Sequence, residues 1–393
     1  MRRALTLVGA VGLAVAFWGF SHPAQSFAGP HAIFWRIDLP LGACLLALLF
    51  ARLPGAGRLA LASVLLTVAL VETGARLVVA ARAPRIESHI AKDYSQRDDL
   101  LGYAPRPGAV TRAWKRWNGR LLYATEYAID DHGRRVTPIA NRPERDRFVL
   151  FFGDSCTFGE GLGQQETLPF FAGQLAPPIM PYNYGFHGYG PQQMLARLES
   201  GGLRAEVAEA DGVLVYLFID AHVSRAIGSL RVYTQWADAM PFYALDASGR
   251  PRRRGNFNTG RPLVAMAYSL LGRSALLDAF HVDLPARVDD RHVELTASLL
   301  ARSQDLFHAQ FGPRRFVVVA FPGSKLAGRL GTALKRQGVE FLDFSALLDP
   351  DLAEYHIPED WHPTALTNRV LAEHVVDALA LRGAGYSVAR SVP

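Results

Sequence analysis

The stretch Arg147–Pro169, RFVLFFGDSCTFGEGLGQQETLP, decides the fold. Its apolar run, Phe148 to Phe152, has no polar alternation, the pattern of a strand buried on both faces in a parallel sheet. The run stops at Gly153-Asp154-Ser155-Cys156 and is followed by glycines at 159 and 161, so the strand turns sharply. A serine at such a turn holds its hydroxyl and its backbone N–H at the open edge of the sheet, the geometry that acyl transfer needs. Taken alone, Ser155 reads equally well as a helix cap.

Working outward, apolar segments alternate with segments of helical spacing. Asp146 to Phe152, Tyr182 to Phe186, Val213 to Ile219, Phe316 to Phe321 and Phe341 to Phe344 read as strands. Thr167 to Leu175, Gln192 to Glu199, Val293 to Phe311, Lys325 to Gln337 and Ala365 to Leu381 read as helices. This alternation predicts a three-layer α/β/α domain over 146–386 with a five-stranded parallel sheet and functional loops at the strand C-terminal ends. Residues 84–145, with GYAPRPG, WNGR and DDHGRR, read as a β-rich lead-in containing a strand at Arg120 to Tyr127. The stretch 224–289 keeps no strand–helix rhythm and reads as an insertion; its cluster Arg252, Arg253, Arg254 reads as a solvated face.

The second informative stretch is PEDWHPTALTNRVLAEHV, Pro358–Val375, where Asp360 and His362 precede an amphipathic helix and Pro363 sets its first turn. A serine is inert at neutral pH unless a base takes its proton, and a carboxylate fixes the tautomer of that base. A strand-end serine with a late Asp-x-His is such a set. Asp360 lies two residues before His362 and Glu359 three before it, and either can serve as the acid. Asp154 reads as a brace that accepts backbone N–H bonds at the turn.

With these residues in place, the stretch from Asp146 to Leu381 resembles the SGNH/GDSL family of serine esterases and acyltransferases. GDSCTFGEG is similar to the family's first block, which implies Ser155 as nucleophile and its N–H as an oxyanion donor. Asn183 to Pro191, NYGFHGYGP, is similar to the second block, implying that the Gly188 N–H completes the oxyanion hole. Asp360-Trp361-His362-Pro363 is similar to the last block, implying His362 as the base and Asp360 over Glu359 as the acid. The resemblance implies the flavodoxin-like SGNH fold, and the sequence departs from the family's pattern in the third block, where Ile219 stands at the position at which the family usually has an asparagine donor. Asn183, His187 and His222 are the candidate substitutes; for His187 a structural hydrogen bond is the preferred reading. The loss of one oxyanion donor costs about a hundredfold or more in rate.

The chain has 393 residues, half of them hydrophobic, and much of that excess lies in three apolar runs: Leu5 to Phe20, Leu39 to Ala51 and Leu59 to Ala81. A bilayer core of about 30 Å takes roughly 20 helical residues, so 1–83 reads as a membrane region of about three transmembrane helices. The third run carries E-T-G-A-R, in which Glu72 and Arg76 pair along one helix face, and it is similar to the anchor helix of membrane-bound family members. Arg2 and Arg3 before the first run, and Arg52 and Arg58 around the second connection, place everything after Ala81 outside the cytoplasm. In a bacterium this is a multi-pass inner-membrane protein with its catalytic domain in the periplasm. The rival reading makes the first run a signal peptide processed at Ser26-Phe27-Ala28.

Other classes gain no support. Two cysteines make neither a disulfide framework nor a cysteine zinc site, and 42 basic against 36 acidic residues leave no nucleic-acid footprint. There is no phosphate loop, dinucleotide fingerprint or HExxH helix, so no metal or other cofactor is expected. The expectation is a membrane-anchored SGNH-type serine hydrolase that cleaves an O-acyl ester on a cell-envelope carbohydrate or lipid through a Ser155 acyl-enzyme. An O-acyltransferase acting on exported polysaccharide and a non-catalytic carbohydrate-binding relative are the alternatives.

Overall fold

The computed structural model describes residues 53–91, 93–349 and 351–382. The first two apolar runs lie outside these residues, and with them the three-helix and signal-peptide readings. Among the described residues one helix, α1 (Gly55–Arg82), is long and apolar enough to cross a membrane, with a mean hydropathy of 1.9 over its most apolar window. Its buried residues are Ala62 and Ala69. The chain forms two compact units, one joining α1 with Gly228–Asp238 and Phe257–Arg287, the other made of Pro84–Ile227, Ala239–Asn256 and the residues from Val288 onward.

In the larger unit the chain starts with antiparallel strands. β1 (Ile86–His89), β4 (Val110–Trp117) and β5 (Arg120–Ala128) form one sheet in that order, and β2 (Ser95–Asp98) pairs with β3 (Gly102–Pro105). Asn118 and Gly119, both at positive φ, make the tight turn between β4 and β5. The two-residue period of β4 puts Lys115 on the face of buried Thr111 and Ala113, and that of β5 buries Tyr123 and Tyr127 together. These inward side chains form one wall of the site described below.

The five-stranded sheet is parallel, in the order β12 (Glu340–Asp343), β11 (Arg315–Ala320), β8 (Asp211–Phe218), β6 (Arg147–Phe152), β7 (Ile179–Asn183). Alternate residues of β6 enter two separate cores. Phe148, Leu150 and Phe152 pack with α4 (Pro191–Glu199), α8 (Asp290–Phe311) and α9 (Ala327–Arg336). Val149 and Phe151 pack with α3 (Leu168–Leu175) and α10 (Ala365–Ala378). The architecture is therefore α/β/α. The chain leaves β6 for β7 on one side and later reaches β8 on the other, so the C-terminal end of β6 is the topological switch point where such sheets bind ligands.

Strand limits shift where local hydrogen bonding overrides the apolar run. The strand read at Tyr182 to Phe186 is β7 and ends at Asn183, because Asn183 Oδ1 accepts the Gly185 N–H at 3.0 Å and turns the chain. β7 starts earlier and tolerates Pro181 because it is an edge strand. Pro363 does not open the last helix: Thr364 is its N-cap and Ala365 its first residue. Within 224–289, Ser224 lies inside α5 (Ala221–Ile227), and β9 (Pro241–Leu245) with β10 (Pro251–Asn256) forms a hairpin in the larger unit. The basic cluster there is engaged rather than merely solvated: Arg253 donates to the Leu100 carbonyl at 2.8 Å and Arg252 pairs with Asp246 at 3.0 Å.

A buried arginine ties the lead-in to the parallel sheet. Arg135, 2% exposed, donates to the carbonyls of Phe158, Gly159 and Leu162 at 2.7, 2.5 and 2.5 Å and lies over the rings of Tyr127 and Phe158. Burial lowers its pKa to about 10, still a cation at neutral pH. The three carbonyls belong to the loop that follows the strand–helix turn, and without the guanidinium they lose their donors in a dry environment. Arg135→Leu is expected to cost about 3 kcal/mol, read as a fall of about 5 °C or more in the midpoint of thermal unfolding.

Candidate active site

The exit of β6 is built by backbone necessity. Gly153 has φ 156°, and a Cβ there would sit 2.1 Å from Thr157 Oγ1, so the close return of the chain excludes any side chain. Asp154 caps the short helix α2 (Ser155–Phe158), accepting the Cys156 N–H at 3.0 Å. Its other oxygen accepts from Arg225 of α5 at 2.5 Å, and Arg225 also donates to the Tyr189 carbonyl at 2.9 Å. Burial alone would raise the Asp154 pKa, but Arg225 and His222 outweigh it and hold the carboxyl well below the usual carboxylate range. Asp154 is thus a fixed anion bracing the turn.

Ser155, 6% exposed, donates its hydroxyl to His362 Nε2 at 2.9 Å. His362 Nδ1–H in turn donates to Asp360 Oδ1, which fixes the tautomer. The imidazole comes from a closed loop: Ile357 N–H donates to the His362 carbonyl at 2.7 Å, and Asp360 and Trp361 N–H both donate to the Ile357 carbonyl. The structure thus brings together Ser155, His362 and Asp360, 207 residues apart in sequence at the widest. Glu359, exposed and at φ 65°, takes no part in this chain of hydrogen bonds.

Two charged residues join them. Lys115 of β4 places Nζ 3.0 Å from Asp360 Oδ2, whose side chain is fully buried. Burial pushes the Asp360 pKa up, but His362 and Lys115 pull it below its ordinary value. Glu160 places Oε2 2.6 Å from His187 Nδ1 and 3.4 Å from His362 Nε2. Burial acts to raise the Glu160 pKa, yet His187 and His362 bring it down to about 2. For His362, burial acts downward, and Glu160 with Asp360 reverses it, leaving the imidazole more basic than an ordinary histidine. Sequence reasoning missed both residues. Glu160 is visible in the GEG turn, whereas Lys115 sits in a lead-in strand whose contact with the site no local pattern announces.

The lead-in also fixes the loop carrying Gly188, which has φ 70°, a conformation glycine adopts without strain. Tyr103 donates to the His187 carbonyl at 2.6 Å, Tyr189 donates to the Tyr103 carbonyl at 2.8 Å, and the Tyr94 hydroxyl meets His187 Nε2 at 3.1 Å. Gly161 N–H donates to the Tyr127 hydroxyl at 2.8 Å, holding the turn that carries Glu160.

Of the three candidate replacements for an asparagine at Ile219, Asn183 and His187 are committed elsewhere and His222 is turned into the core toward Asp154. Asn183 Nδ2 donates to the Thr157 and Phe158 carbonyls at 3.1 and 3.3 Å. Both ring nitrogens of His187 are engaged, by Glu160 and Tyr94. His222 is fully buried, with Nδ1 3.0 Å from the Tyr216 hydroxyl and Nε2 facing Asp154 at 3.6 Å. Asp220, beyond the end of β8, accepts from Ser324, Lys325 and Leu326 on another loop.

Among the described residues, Glu160, Asp360 and His362 form the one group with the spacing of metal ligands, their ligand atoms lying within 4.8 Å of one another. Each of these residues already belongs to the network of hydrogen bonds and ion pairs above.

No protein-family model matches the chain, and no curated protein matches it. Solved structures similar to it include a member of the lipolytic G-D-S-L family from Veillonella parvula, at 12% identity and TM-score 0.35, covering 60% of this chain and 98% of that one. An acetyl xylan esterase from the rumen bacterium Butyrivibrio proteoclasticus aligns at 10% identity and TM-score 0.36, covering 68% of each chain. A family two carbohydrate esterase from Clostridium thermocellum aligns at 11% identity and TM-score 0.35, covering 60% of this chain and 66% of that one.

Proposed function

We propose that this protein is a membrane-anchored serine ester hydrolase of the SGNH type. The observation that carries the reading is the continuous chain from Ser155 Oγ to His362 Nε2 at 2.9 Å and from His362 Nδ1 to Asp360. In this mechanism Ser155 attacks an ester carbonyl while His362 takes its proton, and Asp360 stabilises the imidazolium. The N–H groups of Ser155 and Gly188 bind the oxyanion. The tetrahedral intermediate then expels the alcohol, protonated by His362, and leaves an acyl-enzyme that water opens with His362 as base. Lys115 positions Asp360, and Glu160 makes His362 more basic. With Asn183 and His187 engaged elsewhere and His222 buried against Asp154, the hole has the two N–H donors of Ser155 and Gly188 rather than three donors, which predicts a slow esterase.

The anchor is α1, and the basic residues Arg52 and Arg58 at its N-terminal end favour a periplasmic catalytic unit in a bacterial inner membrane. The substrate class is a carbohydrate O-acyl ester, and Trp361 supports it. This side chain is 69% exposed, stands between Asp360 and His362 at φ 65°, and stacks on His356 with ring centroids 4.6 Å apart and 8° between planes. A bulky residue in the left-handed region is strained, and such strain collects at ligand sites. An exposed, braced indole offers a flat apolar face to the C–H side of a sugar ring beside the reacting centre.

Four outcomes are expected of the purified full chain. Ser155→Ala abolishes hydrolysis of p-nitrophenyl acetate and labelling by a fluorophosphonate probe; retained turnover would sink the assignment. The base must be neutral to act, so kcat/KM rises with pH through the His362 pKa, which lies above the ordinary value of about 6.5. Glu160→Gln removes a charge that favours the imidazolium and shifts this acidic limb to lower pH, whereas Lys115→Met shifts it to higher pH; a limb unmoved in both variants contradicts the electrostatic account. Trp361→Ala raises KM about tenfold or more for an acetylated oligosaccharide while leaving p-nitrophenyl acetate nearly unaffected, a loss of roughly 1.4 kcal/mol in binding.

A further inference from the structure

The smaller unit contains a helix of inverted polarity. In α6 (Pro262–Leu271) the large apolar side chains point outward: Leu263 is 76% exposed, Met266 53% and Leu270 50%, with Val264 and Leu271 also exposed. Its polar residues point inward, where the Tyr268 hydroxyl donates to the Leu284 carbonyl at 3.0 Å and Ser269 Oγ lies 3.4 Å from the Tyr233 hydroxyl. No charged residue occurs between Arg261 and Arg273. A water-facing helix has the opposite arrangement, with polar groups outside and apolar groups inside. Phe280, just after α7 (Ala275–Ala279), is 73% exposed as well. A contiguous apolar patch of this kind marks an interaction surface.

What covers it follows from where the segment is fastened. Glu72 of α1 accepts from Ser274 Oγ at 3.0 Å, from the Ala275 N–H, and from the Leu276 N–H at 3.3 Å, so it caps the first turn of α7. Arg76, which also pairs with Glu72 at 3.5 Å, donates to the Arg273 carbonyl at 2.8 Å, two residues beyond the end of α6. The acid thus meets a helix N-terminus and the base meets backbone carbonyls beyond a helix C-terminus, each with the favourable sign. The two charges that break the apolar run of α1 are docking groups for this segment rather than a pair serving only each other. At 1.5 Å per residue, a stretch of about 20 residues from Leu59 to Val78 covers about 30 Å of hydrocarbon, and Glu72 then lies about 9 Å inside its C-terminal limit. An outward-facing apolar helix tethered at that depth through Arg273 and α7, in the same unit as a helix whose Leu59, Val64, Val68 and Leu77 are likewise exposed, faces acyl chains rather than water.

We propose that α6 and Phe280 form a second membrane contact, an interfacial helix inserted at the boundary between headgroups and acyl chains and docked on α1 through Glu72 and Arg76. The inference rests on reading α1 as a membrane span. It is tested with the full chain reconstituted in vesicles of phosphatidylcholine and phosphatidylglycerol doped with a phosphatidylcholine that carries a diazirine near the ester end of its acyl chain. After irradiation, lipid adducts are mapped by mass spectrometry. The expected result is adducts on both the α1 peptides and the peptides covering 262–280, at least tenfold above those on the β4–β5 peptides. Adducts on α1 with none on 262–280 would overturn the interfacial helix while leaving the anchor intact. Absence of adducts on both would overturn the membrane reading itself. Cross-linking of 262–280 to residues 1–52 or to a second copy, without lipid adducts, would also overturn the proposal by showing a protein cover.

Discussion

The ion pair between Asp154 and Arg225 is the constraint on which the site depends. Asp154 is fully buried and Arg225 nearly so, and beyond each other Asp154 also holds the Cys156 N–H and Arg225 the Tyr189 carbonyl. One interaction therefore links the turn carrying Ser155, the loop carrying Gly188 and the helix after β8. A buried pair contributes little net stability compared with apolar packing, but breaking it strands a charge at a cost of about 3–5 kcal/mol. Its value lies in geometry: the three segments it joins cannot drift independently.

The lead-in sheet supplies a second layer of the same kind of constraint. Lys115, Tyr123 and Tyr127 come from its inward face, and Tyr94 and Tyr103 from the segments around its β2–β3 hairpin. Tyr123 donates to Glu160 at 3.4 Å, so the carboxylate beside His362 is held from the lead-in as well as by His187. Aromatic hydroxyls suit this work because the ring fills apolar space while the oxygen finds a partner. Burial raises the pKa of Tyr94, Tyr103, Tyr123 and Tyr127, so each hydroxyl stays neutral at ordinary pH.

The parallel sheet was legible in the sequence because its strands are buried on both faces and read as continuous apolar runs, Phe148 to Phe152 and Val213 to Phe218 above all. The meeting of Ser155 with His362 and Asp360 follows from the same reading, since residues after parallel strands and before the last helix converge on one edge. What stayed hidden has a physical reason in each case. Lys115 and Glu160 act through tertiary contact between a β-hairpin and a loop, which leaves no local period. Asn183 offered a side-chain amide at a plausible position, yet a local Asx turn and two carbonyls consume it. Glu72 and Arg76 have the spacing of a self-contained helical pair, and only the fold shows the helix ends they cap.

The charges around His362 bear on how the proposed chemistry is divided. Attack by Ser155 creates an imidazolium and an oxyanion in one step, and an enzyme can stabilise either partner. Here Asp360 contacts Nδ1 and Glu160 lies 3.4 Å from Nε2, so the cation has two carboxylates. Lys115 tempers the first of these by pairing with the far oxygen of Asp360. In the proposed reaction the oxyanion side draws on the Ser155 and Gly188 N–H groups, with Ile219 where the resemblance implies an asparagine. A missing donor costs about a hundredfold in rate, and a carboxylate beside Nε2 recovers part of that by favouring the proton transfer, though its field opposes the oxyanion. The balance therefore tilts toward stabilising the protonated base, which requires a higher pH to begin from neutral imidazole and holds the proton ready for the leaving alcohol once it has been taken.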